Sequence, residues 1–190
     1  AQERLLGAEH PSTLTTVGNL ATLFSDMGDY EQAEALYTRA LEAQERLLGA
    51  EHPDTLITVG NLATLFSYMG DYEQAEALYK RALEAQERLL DAEHPDTLTT
   101  LGNLALLFSN IGDYEQSEAL YKRCLEAQER LLGREHPDTL MTISNLAGLF
   151  KDMANYEPAE ALYIRCLEAN ERLMGAEHPS TLNIVFGLAQ

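Results

Sequence analysis

Basic side chains are scarce in this sequence. Lysine and arginine together number 13, against 31 aspartates and glutamates, for a formal net charge of −18. No basic stripe interrupts that surface, so nucleic acid is excluded as a partner by repulsion, and an anionic membrane is disfavoured for the same reason. No run of about 18 apolar residues occurs, which excludes a membrane-spanning helix, and no basic, apolar leader opens the chain. Only two cysteines are present, Cys124 and Cys166. They share a slot that holds Ala40 and Ala82 elsewhere, so the slot wants a small buried side chain. A disulfide would have to join equivalent helices about 10 Å apart, beyond bonding reach. Free thiols suit a reducing compartment, and a cytoplasmic location is expected. The six prolines and 12 glycines are too regularly placed for a flexible linker.

What fills the chain is one pattern, repeated. His10, His52, His94, His136 and His178 fall 42 residues apart, each followed by proline. A fixed period of this size marks a stacked-repeat protein, with one continuous core. The predicted units are 10–51, 52–93, 94–135 and 136–177, with 1–9 as the tail of a preceding helix and 178–190 as the first helix of a fifth unit. The opening AQERLLG matches Ala43 to Gly49, so the chain reads as a piece of a longer array.

Each unit reads as two helices. Pro11 opens the first, with His10 or Ser12 placed to cap it. Leu14, Val17, Leu20, Ala21, Phe24 and Met27 follow at spacings of three and four, which is helical periodicity. Gly28-Asp29 stops that helix. The second starts near Tyr30, with an apolar stripe of Tyr30, Ala33, Leu36, Tyr37, Ala40, Leu41, Leu47 and Leu48. So short a connection forces the helices to run antiparallel and touch. The second helix carries the charge: Glu42–Arg46, Glu84–Arg88, Glu126–Arg130, Glu168–Arg172, Glu76–Lys80 and Glu118–Lys122 are i,i+4 pairs in the favourable order. The fourth unit drifts, with Ala154-Asn155-Tyr156 in place of Gly-Asp-Tyr and Pro158 in the next turn.

The first helix also carries a second stripe, small and nearly uncharged. Thr15, Gly18, Asn19, Thr22, Ser25 and Asp26 form its first copy. A mid-helix glycine costs about 1 kcal/mol against alanine, so Gly18, Gly60 and Gly102 need a reason. Close approach of a neighbouring helix is one, and close approach of a ligand backbone is the other. Asn19, Asn61, Asn103 and Asn145 recur in register. Their carboxamides can pair with the N–H and C=O of an extended peptide, or can bond the next repeat and fix its stacking angle. The candidate binding residues are these four asparagines together with Ile57, Thr64, Tyr68, Leu106, Asn110, Met141 and Lys151.

Val17-x-x-Leu20-Ala21-x-x-Phe24 and Ala33-x-x-x-Tyr37-x-x-Ala40 resemble the tetratricopeptide repeat. The usual period is about 34 residues. The longer unit here, with HP-x-T, N-L-A and R-A-L-E, resembles the kinesin light chain type. The resemblance implies an all-α fold, a right-handed α-solenoid of antiparallel helix pairs. It comprises about four full repeats, with partial repeats at both ends. It also implies a concave groove lined by first helices, where a peptide or disordered tail lies, and where an asparagine at the place of Asn19, Asn61, Asn103 and Asn145 contacts the peptide backbone. Relatives that grip carboxylates use lysine and arginine on the inner helices. Here the stripe offers Lys151 alone, so a neutral or basic segment is expected.

No catalytic chemistry is expected. The histidines lie a repeat apart, too far to share a metal. Serine, histidine and aspartate recur in register without a unique nucleophile–base set, and no phosphate-binding glycine loop exists. No cofactor is anticipated. The function expected is a non-catalytic protein-interaction scaffold. The alternative is a structural array that self-associates head to tail through uncapped ends, where Leu182, Val185, Phe186 and Leu188 would need a cover.

Overall fold

A computed structural model describes Gly7 and residues 9–175. The expected tail at 1–6 and 8, and the fifth unit with Phe186 and Gly187, lie outside the described residues. Among the described residues every regular element is an α-helix: α1 (Pro11–Asp26), α2 (Tyr30–Leu47), α3 (Pro53–Met69), α4 (Tyr72–Leu89), α5 (Pro95–Asn110), α6 (Tyr114–Leu131), α7 (Pro137–Asp152) and α8 (Tyr156–Met174). Two compact units divide the chain, one reaching Thr100 and the other starting at Leu101.

The helix starts follow from local chemistry. His10, His52 and His136 are the N-caps of α1, α3 and α7, each with proline in the first turn. In these three and in His94 the imidazole Nδ1 accepts the backbone N–H two residues on, at 3.2 Å. The histidine, and not the residue at 12, 54, 96 or 138, therefore supplies the side-chain cap. The threonine of HP-x-T does further work. Thr13, Thr55, Thr97 and Thr139 are buried, and their hydroxyls donate to the carbonyl six residues earlier at 2.8–3.0 Å. Each one ties the incoming loop to the new helix.

Second helices start on an aspartate. Asp29, Asp71 and Asp113 accept the N–H of Gln32, Gln74 and Gln116. The Gln74 and Gln116 side chains donate back to the same carboxylates at 2.6 Å, so each aspartate holds both the backbone and the side chain of its glutamine. The glycine before the aspartate is left-handed at 28, 70 and 112. Ala154 occupies that slot in the fourth repeat with φ 56°, and Asn155 makes no side-chain cap bond.

In the first unit α1 packs on α2, α2 on α3 and α3 on α4. Ala21, Ala33, Ala40, Ala63, Ala75 and Ala82 are fully buried, which lets the helix axes approach. Leu56, Val59, Leu62, Leu65 and Phe66 fill the space around α3. In the second unit α6 packs on α7 and α7 on α8. One core cluster gathers Ala105, Tyr121, Leu146, Leu149, Phe150 and Ala159, and another Leu140, Ile143, Cys166 and Ala169. Both cysteines are buried free thiols. The Cys166 thiol donates to the Leu140 carbonyl at 3.1 Å.

Three expectations need correction. Leu47 and Leu48 are exposed, and Ala43 and Gln44 are buried in their stead. Leu20 is 41% exposed whereas its counterpart Leu62 is 5% exposed, because α3 packs against both α2 and α4 while α1 packs mainly on α2 and only touches α3. The arginines expected to pair within their own helix reach back to the preceding repeat. Arg46 bonds Glu9, Arg88 bonds Glu51, and Arg172 bonds Glu135. Arg81 joins Glu45 and Arg165 joins Glu129, each at 2.5 Å. Stacking brings a second carboxylate within reach, and sequence spacing registers only the first. Glu76–Lys80 and Glu118–Lys122 do form, at 2.6 and 2.5 Å.

Candidate functional site

The second stripe of the first helices lies at the surface. In the first unit α1 presents Asn19 and α3 presents Ile57, Asn61, Thr64 and Tyr68. In the second unit α5 presents Asn103, Leu106 and Asn110, and α7 presents Met141, Asn145 and Lys151. Asn19, Asn61, Asn110 and Asn145 are exposed, and Asn103 is half-buried. Ile57, Tyr68, Leu106 and Met141 are 45–64% exposed, so each unit shows apolar side chains beside amides.

The polar groups of the stripe divide into two kinds. Threonine hydroxyls are engaged by their own helix: Thr15 donates to Pro11 O, Thr22 to Gly18 O, Thr64 to Gly60 O and Thr99 to Pro95 O, at 2.9–3.2 Å. Among the described residues the side chains of Asn19, Asn61, Asn103 and Asn145 have no hydrogen-bond partner. The stacking-angle role expected for them therefore has no bond to carry it there. The glycines resolve similarly. A Cβ built on Gly18, Gly60 or Gly102 meets nothing within 4 Å. Helix packing does not require those glycines, which overturns the first of the two reasons offered for them.

Sequence reasoning missed the tyrosines under this stripe. Tyr37 OH pairs with Thr22 Oγ1 at 2.8 Å, and Tyr79 OH with Thr64 Oγ1 at 2.7 Å. Thr64 is thus held twice within the first unit. The third repeat has Leu106 in the threonine slot, and Tyr121 OH is buried with no partner. Burial pushes the Tyr121 phenol well above its ordinary range. In the fourth repeat the slot is Gly148, and Tyr163 OH lies 3.6 Å from where its Cβ would be. The constant spacing of 15 residues between the slot and the tyrosine was the available signal.

The arrangement offers hydrogen bonds and apolar contact. Among the described residues no cluster of three or more metal-ligating side chains exists, and no helix is long and apolar enough to cross a membrane. The cysteine thiols are raised by burial, Cys166 to about 11.

Known proteins give the pattern its place. The tetratricopeptide repeat profile matches residues 1–45, 13–88, 60–126 and 96–172. No curated protein sequence matches the chain. Among solved structures, one described as a kinesin light chain with nearly identical TPR-like repeats, from Podosopora anserina, is 26% identical, with a TM-score of 0.81 over 95% of this chain and 86% of that one. A single-substitution variant of that same protein aligns with a TM-score of 0.82 at 26% identity, over 95% of this chain and 85% of the variant. BtubC (BKLC) from P. vanneervenii shares the fold at 24% identity, with a TM-score of 0.84 over 98% of this chain and 76% of that one. The fold class is accordingly an all-α solenoid, and arrays of this family are protein-interaction scaffolds, characteristically non-catalytic. With four profile matches across its length and structural likeness to kinesin light chain repeats, the chain belongs to the tetratricopeptide-repeat family, and its array is of the kinesin light chain type.

Proposed function

We propose that the chain is a non-catalytic scaffold binding a neutral or basic peptide segment along the asparagine-bearing faces of its first helices. The observation that carries this reading is the set of four carboxamides at the surface without an intramolecular partner among the described residues. An amide both donates and accepts, so it can hold an extended backbone regardless of sequence. Gly18, Gly60 and Gly102 keep the adjacent surface free of side chains, at a cost of about 1 kcal/mol each in helix propensity. Ile57, Tyr68, Leu106 and Met141 would add apolar contact, and Thr64, Asn110 and Lys151 complete the face. Lys151 is the one lysine or arginine on the stripe, and the chain carries −18, so a basic segment is steered in and an acidic one repelled. Buried free thiols fit a cytoplasmic setting.

The test is a peptide-array screen followed by titration of the best binder. Asn19→Ala with Asn61→Ala, and separately Asn103→Ala with Asn145→Ala, should each weaken binding about tenfold, the equivalent of about 1.4 kcal/mol. The melting temperature should stay nearly constant. A lower melting temperature with unchanged binding would make the amides structural.

Head-to-tail self-association is the second reading. It rests on the outward face of α1, where Leu20, Leu23 and Met27 are 41, 52 and 69% exposed. Sedimentation should then show growth with concentration, abolished by Leu23→Glu. A monomer at all concentrations rejects this reading.

A further inference from the structure

The slot over the second-helix tyrosine sets the fourth repeat apart. In the first unit Thr22 and Thr64 bond the phenols of Tyr37 and Tyr79, and both tyrosines are 3% exposed. In the second unit Leu106 takes the slot before Tyr121, which is 1% exposed. Gly148 takes it before Tyr163, which is half-buried. The Tyr163 oxygen lies 3.6 Å from the point where a Cβ on Gly148 would stand. The missing side chain therefore leaves a notch in α7 with a phenol at its base. That hydroxyl has no hydrogen-bond partner among the described residues, and it is not sealed from solvent as the Tyr121 hydroxyl is. Gly18, Gly60 and Gly102 open no such path, since nothing lies within 4 Å of their Cβ positions.

The neighbouring groups select what this hydroxyl can bond. Partial burial, and after it the carboxylate of Asp152, hold the Tyr163 phenol above its ordinary range. It keeps its proton at neutral pH and is a donor. Lys151 and Asp152, on the next turn, carry opposite charges and offset one another. The −18 of the whole chain then disfavours a carboxylate as the acceptor. A neutral carbonyl remains. A position without a side chain lets a ligand backbone come close. Asn145 is exposed one turn earlier on the same face.

We infer that Tyr163, reached through the notch at Gly148, is a further binding residue of the asparagine face. Its O–H donates to a main-chain carbonyl of an extended partner segment, and the Asn145 carboxamide holds an adjacent peptide group of that segment. This role rests on the peptide-binding reading and deepens it: among the described first helices, α7 is where the partner's main chain reaches the layer beneath.

The notch is tested first with no partner present. Gly148→Thr rebuilds the pairing of Thr64 with Tyr79, so its urea midpoint should rise. The rise should be smaller when the same change is made in Tyr163→Phe. Binding is then measured with the tightest binder from an array of peptides that lack aspartate and glutamate. Tyr163→Phe should weaken it about fivefold, the ratio that one net hydrogen bond is worth. The melting temperature should not change, because the hydroxyl bonds nothing in the free chain. Gly148→Thr should weaken binding at least as much, and adding Tyr163→Phe to it should cost nothing more. The inference is overturned if either single variant binds the peptide like the native chain, or if the rise in midpoint is the same with and without the Tyr163 hydroxyl. Unchanged binding by Tyr163→Phe, beside weakened binding by the protein carrying Asn19→Ala and Asn61→Ala, rejects Tyr163 and keeps the peptide reading. An array that yields no binder overturns both.

Discussion

At the scale of single residues, the contrast between Thr64 and Leu106 is the most informative. Both stand 15 residues before a tyrosine, but only the threonine gives its tyrosine a partner. Leu106→Thr should supply Tyr121 OH with the bond that Tyr79 already has. A gain of about 0.5–1.5 kcal/mol in urea unfolding is expected, since Leu106 is 45% exposed and gives up little packing. Gly60→Ala should also stabilise, by about 0.5–1 kcal/mol, because nothing stands where the methyl would go. The same substitution should weaken peptide capture if a ligand backbone passes over that position. The thiols give a pH dependence. Burial raises Cys166 from 9.0 to about 11. The folded state thus holds this proton more tightly than the unfolded chain does. The stability it contributes is complete below about pH 9 and is lost as pH rises toward about 11. Urea midpoints should fall over that window, and less steeply in Cys166→Ala, which restores the residue found at 40 and 82. An identical decline in both proteins would contradict the assignment.

At the scale of the helix, the caps set the repeat. His52 supplies the side-chain acceptor at the start of α3, so His52→Ala should cost about 0.5–2 kcal/mol, and His52→Asn should recover most of it. The fourth repeat shows what happens when this chemistry lapses. Ala154 holds a left-handed conformation that glycine adopts freely, and Asn155 makes no cap bond. Ala154→Gly with Asn155→Asp should raise the unfolding midpoint of the chain. No change would mean that the start of α8 does not limit stability.

At the scale of the molecule, charge is the dominant feature. The arginine–glutamate bonds between successive repeats are mostly exposed, and exposed pairs contribute roughly 0–1 kcal/mol each. Against them stands a net charge of −18, whose self-repulsion opposes compaction. Raising ionic strength from about 0.01 to about 0.15 M shortens the screening length from about 30 to about 8 Å and should raise the melting temperature. The same change should weaken capture of a basic peptide. A melting temperature that falls with salt would place the bridges above the repulsion.

The helix pairs were legible from residues alone, because their rules are local. Proline after histidine, glycine before aspartate and the three-four spacing of apolar residues act within a few positions, and they locate every described helix. The small residues at 21, 33 and 40 announced close contact for the same reason. What the residues could not reveal depends on neighbours far along the chain. Arg88 has Glu84 four positions away in sequence, yet it bonds Glu51, which stacking brings near. Leu47 keeps helical spacing with the core and still faces solvent. Gly60 carried two readings, helix packing and ligand approach, and only its empty surroundings removed the first. Periodicity tells which residues share a side of a helix, whereas only the packed neighbours decide whether that side meets protein or water.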